Sequence, residues 1–255
     1  MFKSLLFITL LVTTLLSQTA TAQTLAYLII SEQAEPFQIN AAEAGPQTGV
    51  VTDIVEFLAN KKPFEIVNQV MPFKRYLYEI EKQTFPNWIS YGSPTWRVKD
   101  GKYLQNKRLS KQVLFTANHI AVSLKADSAI VWQQLQHKTL ILLKGFKYPG
   151  LAPLIDQYQI KVLEVSSHKS ALLALQSRRG DLFIEMKSRV LYSLNKHQIN
   201  PTAFVFTDIN DTIAPVDIHL SYGDGVPQGL IDWNDEQILI MKAHGKINDI
   251  LDKYQ

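Results

Sequence analysis

The sequence contains no cysteine. That excludes a disulfide framework, thiolate metal sites and a cysteine nucleophile. It also removes lipid attachment through an N-terminal cysteine, so an untethered protein is expected. The six histidines are dispersed, with no His-Glu-x-x-His pattern, and no metal or other cofactor is expected. No Gly-x-Ser-x-Gly elbow is present. Gly145 and Gly150 have the spacing of a phosphate loop, but Leu151-Ala152 stands where Lys-Ser/Thr is required. Charge of one sign is scarce in excess. The 26 basic and 23 acidic residues leave a net +3, without a long basic run, which gives a nucleic-acid partner no support. Glycine- and serine-rich linkers and low-complexity tracts are missing too, so any join between folded units must be short and structured.

What is present begins with the N-terminus. Lys3 is followed by an uncharged apolar stretch from Ser4 to Leu16, and then by Ala20 and Ala22 in small-x-small spacing. This is the pattern of a secretory signal peptide over residues 1–22, cleaved after Ala22. The apolar core is shorter than the roughly 20 residues a spanning helix needs. Nothing later is long and apolar enough to span, so a soluble, periplasmic mature chain is expected. At that length a hydrophobic core needs no covalent staples.

The remaining chain alternates strand and helix patterns. Leu25 to Ile30 is an apolar run read as a buried strand, and Val51, Ile54, Val55 and Leu58 recur at helical spacing. Pro63 ends that helix, Phe64 to Val70 reads as a strand, and Phe73, Leu77 and Ile80 mark a second helix behind Pro72. Trp88 to Tyr91 reads as a third strand. The order repeats: a strand at Thr139 to Leu143, a helix from Leu151 to Tyr158, and a strand at Ile160 to Val165. A helix capped by Ser167 and a strand from Asp181 to Glu185 complete the repeat. Two β-α-β-α-β units of this kind predict two mostly parallel sheets covered by helices. His119 to Leu124 and Val216 to Tyr222 read as connecting strands, and a helical tail runs from about Asn234 to Tyr254 with a break at Gly245.

In open parallel sheets ligands bind beyond the carboxyl ends of the strands. In the first unit the loops there begin at Ser31, Met71 and Gly92. In the second they begin at Lys144, Ser166 and Glu185. Each carries an aromatic, charged or hydroxyl side chain. If the units face one another, the six loops line one cleft suited to a small molecule.

Several segments resemble the bacterial extracellular solute-binding proteins of family 3, which serve ABC importers and some sensors. Glu35-Pro36-Phe37 is similar to the family's first cleft loop, and Gly49 to Asp53 to its first helix start. Met71-Pro-Phe-Lys-Arg75 resembles its MPW-x-R helix, with Phe73 in the tryptophan's place. Leu109-Ser110-Lys111 and Phe115 resemble its crossing segment, Gly145 to Tyr148 its second-lobe loop, and Arg179-Gly-Asp181 its strand start. Ala243 to Ile247 with Asp252-Lys-Tyr254 resembles its final helix. The resemblance implies an α/β, two-lobe type 2 periplasmic-binding fold. Each lobe is then a mostly parallel sheet flanked by helices, and two crossing strands join the lobes. It places Gln23 to Asn118 with Tyr222 to Gln255 in lobe one and His119 to Ser221 in lobe two. It further implies a monomer without catalytic activity that captures a small polar solute, anionic or zwitterionic, for an ABC permease or a membrane sensor. A lyase on the same fold is the alternative from a different class.

The candidate ligand-binding residues are Glu35, Phe37, Phe73, Arg75, Tyr91, Ser93, Trp96, Arg97, Phe146, Tyr148 and Glu185. Arg97 is either an anion clamp or a solvated loop charge, and Arg75 either a cleft residue or a helix-surface charge. Trp88 and Tyr91 divide between core and cleft wall. Glu185 either binds a cation or pairs with Lys187 or Arg189. The family's ammonium-binding aspartate corresponds to Met186, and Glu185 stands one residue earlier. A one-residue shift in a strand turns a side chain to the opposite face, which argues against an amino acid as the ligand.

Overall fold

The computed structural model describes residues 23–31, 33–40, 46–61, 64–96, 108–127, 132–148 and 150–254. The expected export segment and Arg97 lie outside them. Two five-stranded sheets organise the chain. The first contains β1 (Gln23–Ile30), β2 (Phe64–Met71), β3 (Trp88–Gly92), β4 (Arg108–Ala117) and β10 (Val216–Tyr222), in the order β2-β1-β3-β10-β4. The second contains β5 (His119–Leu124), β6 (Thr139–Leu143), β7 (Lys161–Val165), β8 (Leu182–Met186) and β9 (Phe204–Asp208), in the order β7-β6-β8-β5-β9.

The two sheets repeat one plan. In the first, β2, β1 and β3 pair in parallel and β10 runs against both β3 and β4. In the second, β7, β6 and β8 are parallel and β5 runs against both β8 and β9. Four strands of each sheet therefore share a direction and one opposes them. Leu25, Leu28 and Ile29 of β1 are fully buried, as a strand covered by helices on both faces should be.

Helices α1 (Val50–Ala59), α2 (Phe73–Lys82), α6 (Gln228–Ala243) and α7 (Lys246–Asp252) cover the first sheet. Helices α3 (Leu151–Gln157), α4 (His168–Gln176) and α5 (Lys187–Lys196) cover the second. The Ser167 cap forms as expected: its hydroxyl accepts from the Ser170 amide, and Ser170 returns the bond as a capping box. Gly245, with φ of 70°, separates α6 from α7. Pro72 is the N-cap of α2 rather than a first-turn residue.

Four features depart from the sequence reading. The strands β4 and β9 are additional to it. So is α5, whose Val190, Leu191 and Leu194 carry a helical spacing. The segment Glu185 to Ser188 is consequently a direct strand-to-helix junction and not a loop. Helix α6 starts at Gln228, ahead of the expected Asn234. Finally, β10 is hydrogen-bonded between β3 and β4, so the chain returns to the first sheet between β9 and β10 and not after Ser221. Hydrogen bonding decides this membership, and strand-like composition alone carries no information about which sheet a strand joins. The other crossing is Asn118, the single residue between β4 and β5. Among the described residues, no helix is long and apolar enough to cross a membrane.

Candidate functional site

The loops at the carboxyl ends of β1, β2 and β3 face those of β6, β7 and β8, and four contacts tie the two sets together. After β1, the Gln33 side-chain amide donates to the Ser166 carbonyl at 3.1 Å. Glu35 pairs with Lys196 of α5 at 2.6 and 2.7 Å. Beyond β2, Phe73 stacks on Phe146 with ring centres 5.1 Å apart. At the end of β3, the Tyr91 hydroxyl accepts from Arg189 of α5 at 3.4 Å.

The loop bearing Phe37 is held from two sides. The Gln38 side chain accepts from the Ile30 amide and donates to the Leu28 carbonyl, both at 2.9 Å, which ties the loop to the end of β1. The first amides of α1 complete the hold: Val50 donates to the Pro36 carbonyl and Val51 to the Phe37 carbonyl. Gly49 makes that approach possible. Its φ is 121°, and a Cβ there would lie 2.7 Å from the Phe37 carbonyl oxygen. The Phe37 ring is thereby set against Tyr91 at 5.9 Å and Phe115 at 5.0 Å. Phe37 also lines a cavity of about 250 Å3 bounded by Thr116 to Asn118 of the crossing and the first turn of α5.

At the centre stands Glu185, the penultimate residue of β8. Its carboxylate accepts from the Met186 amide at 2.8 Å and lies 3.5 Å from both the Arg189 guanidinium and His168 Nε2. The Tyr148 hydroxyl donates to it at 3.4 Å. Burial alone would raise the pKa of this carboxyl, but Arg189 and His168 outweigh it and hold the pKa down at about 2. Glu185 is therefore a carboxylate at neutral pH. Burial, reinforced by Glu185, pushes the Tyr148 phenol well above its ordinary value, so it stays a donor. Burial also lowers the pKa of His119, whose ring meets Tyr148 edge-on at 6.3 Å.

Arg189 completes the arrangement. Its guanidinium carbon lies 5.0 Å from the centre of the Phe37 ring and 5.1 Å from that of Phe146. The side chain is 1% exposed. One ring comes from each lobe, so the cation sits at their junction, in contact with two π faces.

Of the sequence candidates, Phe37, Phe73, Tyr91, Phe146, Tyr148 and Glu185 converge here. Trp96 packs edge-on against Tyr91 at 5.8 Å. Glu35 also lies between the lobes, already paired with Lys196. Arg75 does not converge: 67% exposed, it pairs with Glu79 one turn along its own helix. Ser93 is turned inward on its own loop, where its hydroxyl meets Thr95 Oγ1 at 3.0 Å and accepts from the Thr95 amide. Both Trp88 and Tyr91 are buried, and only Tyr91 reaches the junction. Met186 is 3% exposed and packs with the core of the first lobe, so no carboxylate stands where the resemblance would put an ammonium partner. Arg189, His168 and His119 were absent from the candidates. The helical spacing of Val190, Leu191 and Leu194 could have placed Arg189 one turn beyond Glu185 on the same side.

No family model matches this chain, and no curated protein does. Solved structures match throughout the described fold. An ancestral arginine-binding protein bound to arginine superposes with a TM-score of 0.71 at 17% identity, covering 91% of this chain and 97% of its own. The amino acid ABC transporter substrate-binding protein AbpA of Streptococcus pneumoniae, bound to L-arginine, gives 0.70 at 15% identity, with 91% and 94% covered. The GluR0 ligand binding core in complex with L-glutamate gives 0.68 at 14%, with 92% and 99% covered. The chain has the two-lobe periplasmic-binding fold that these proteins share.

Proposed function

We propose that this protein is a periplasmic solute-binding protein. It captures a small polar solute between its lobes and presents the closed form to an ABC permease. One observation carries this reading: the carboxyl ends of all six parallel strands converge on one junction, while among the described residues the chain crosses between the lobes at Asn118 and between β9 and β10. Two crossings make a hinge, and facing loops make a cleft that opens and closes about it. The likeness to binding proteins of ABC transporters supports transport as the purpose of that motion. We assign lobe one to Gln23–Ala117 with Val216–Tyr254, and lobe two to His119–Asp208, following the sheet pairing. Residues 1–22 are taken as a signal peptide cleaved after Ala22.

Phe37, Phe73, Tyr91, Trp96, Phe146 and Tyr148 supply the aromatic surface of the cleft in this reading, and Glu185 and Arg189 its charges. The solute in this reading is small and polar, anionic or zwitterionic.

A thermal-shift screen of organic acids, amino acids, polyamines and small sugars tests the reading, followed by X-ray scattering of each hit. A solute at a hundredfold excess over its Kd stabilises the fold by about 2.7 kcal/mol. For a chain of this size that is a rise of several degrees, at roughly 2–4 °C per kcal/mol. A hit that stabilises without any change in compaction on binding, from an open starting form, overturns hinge capture. A hit converted to product during the assay moves the protein to the enzyme class.

A further inference from the structure

The environment of Arg189 is that of a bound cation. Its guanidinium carbon is about equally distant from the Phe37 and Phe146 rings, at 5.0 and 5.1 Å. A buried carboxylate, Glu185, stands at 3.5 Å, and the Tyr91 hydroxyl accepts at 3.4 Å. Two of these four groups, Phe37 and Tyr91, belong to the lobe opposite the one that carries Arg189. The contacts are those of recognition more than of anchoring. At 3.5 Å the pair with Glu185 is long for a hydrogen bond, and Nε and Nη1 have no hydrogen-bond partner. The rings and the carboxylate's field therefore hold the group.

We propose that Arg189 is a tethered occupant of the cleft. The chain's own guanidinium fills the cation place between the lobes, shifts the hinge toward its closed form before a solute binds, and excludes free guanidinium compounds from that place. The physical basis is effective concentration. A group attached to α5 reaches Phe37 and Tyr91 without the translational entropy that a free molecule gives up. Arg189 is thus the specificity-determining residue of this cleft with respect to cations. The proposal concerns the chain alone and does not depend on which solute is carried, so a negative solute screen leaves it untouched.

The experiment uses the exported protein and methylguanidinium as probe. Scattering of the native protein without added solute is expected to give a radius of gyration between the compact value, about 17 Å for residues 23–255, and that of Arg189→Ala. Arg189→Ala is expected to enlarge it, and millimolar methylguanidinium to return it to the native value while raising the melting temperature. The native protein is expected to show neither response. An Arg189→Ala variant as compact as the native protein overturns the proposal. So does an expanded variant that methylguanidinium fails to compact, or a native protein that binds the probe equally well. Because Arg189→Ala leaves Glu185 buried without its cation, Glu185→Gln/Arg189→Met serves as a second variant with no buried charge. It is expected to fold, to be expanded and to ignore methylguanidinium, and compaction equal to native overturns the proposal in that background as well.

Discussion

Glu185 is the penultimate residue of the third parallel strand of the second sheet, and Arg189 stands four residues beyond it in the first turn of α5. Their charged groups are 3.5 Å apart, with each side chain 1% exposed. A buried pair of this kind is asymmetric in its energetics. Exchange of both partners for apolar or neutral groups is tolerated, while loss of one strands the other.

Glu185→Ala should therefore destabilise the fold by about 3–5 kcal/mol in urea denaturation. Glu185→Gln/Arg189→Met should recover most of that loss. A cost under about 1 kcal/mol for the single change would mean that Arg189 leaves the interior when its partner is removed.

Acid should act through the same carboxylate. Its folded pKa is held at about 2, below its ordinary 4.5. A depressed folded value means that the unfolded chain binds protons first as the pH falls. The contribution is present above about pH 4.5 and is lost as the pH falls toward 2. The urea midpoint of the native protein should drop across that window, and Glu185→Gln should drop less. Parallel curves would remove Glu185 from the account of acid stability.

Glu35 and Lys196 form an ionic contact between the lobes at 2.6 Å, the shortest among the described residues, with side chains 13% and 41% exposed. A pair so hydrated contributes only about 0–1 kcal/mol. Lys196→Ala should thus leave the urea midpoint nearly unchanged while enlarging the radius of gyration at low salt. The difference should shrink at high ionic strength, where exposed charges are screened. A large loss of fold stability would show that α5 itself depends on Lys196.

Gly49→Ala should test how the Phe37 loop is held. The added Cβ would approach the Phe37 carbonyl oxygen to 2.7 Å at a φ of 121°, and backbone strain of this kind costs about 1–3 kcal/mol. At roughly 2–4 °C per kcal/mol the melting temperature should fall by several degrees. An unchanged melting temperature would show that the loop moves freely away from α1.

The strands and helices with complete local patterns were legible in the sequence. The run Leu25 to Ile30 has no polar interruption, and Val51, Ile54, Val55 and Leu58 fall on one helical face, so burial alone specifies both. The repeated order of such segments was enough for two helix-covered sheets and for a site at their strand ends. Among the residues that meet at the junction, the aromatics Phe37, Phe73 and Phe146 were legible because each follows closely on the end of a parallel strand.

Arg75 and Arg189 mark the limit of that reading. Both are arginines on helices that follow strands, and local sequence gives each the same character. Their fates differ because Glu79 meets Arg75 one turn along α2 with the arginine side chain still 67% exposed, whereas Glu185, Phe37, Phe146 and Tyr91 surround Arg189 from two lobes. The membership of β10 in the first sheet is of the same kind, since its partners β3 and β4 are distant in sequence. Sequence by itself determined the types of the strongly patterned elements and the two-sheet plan, because periodicity and turn chemistry act over a few residues. Which charges meet inside the cleft was decided only by tertiary structure, because a buried cation is placed by groups brought together from both lobes, and no local pattern encodes their convergence.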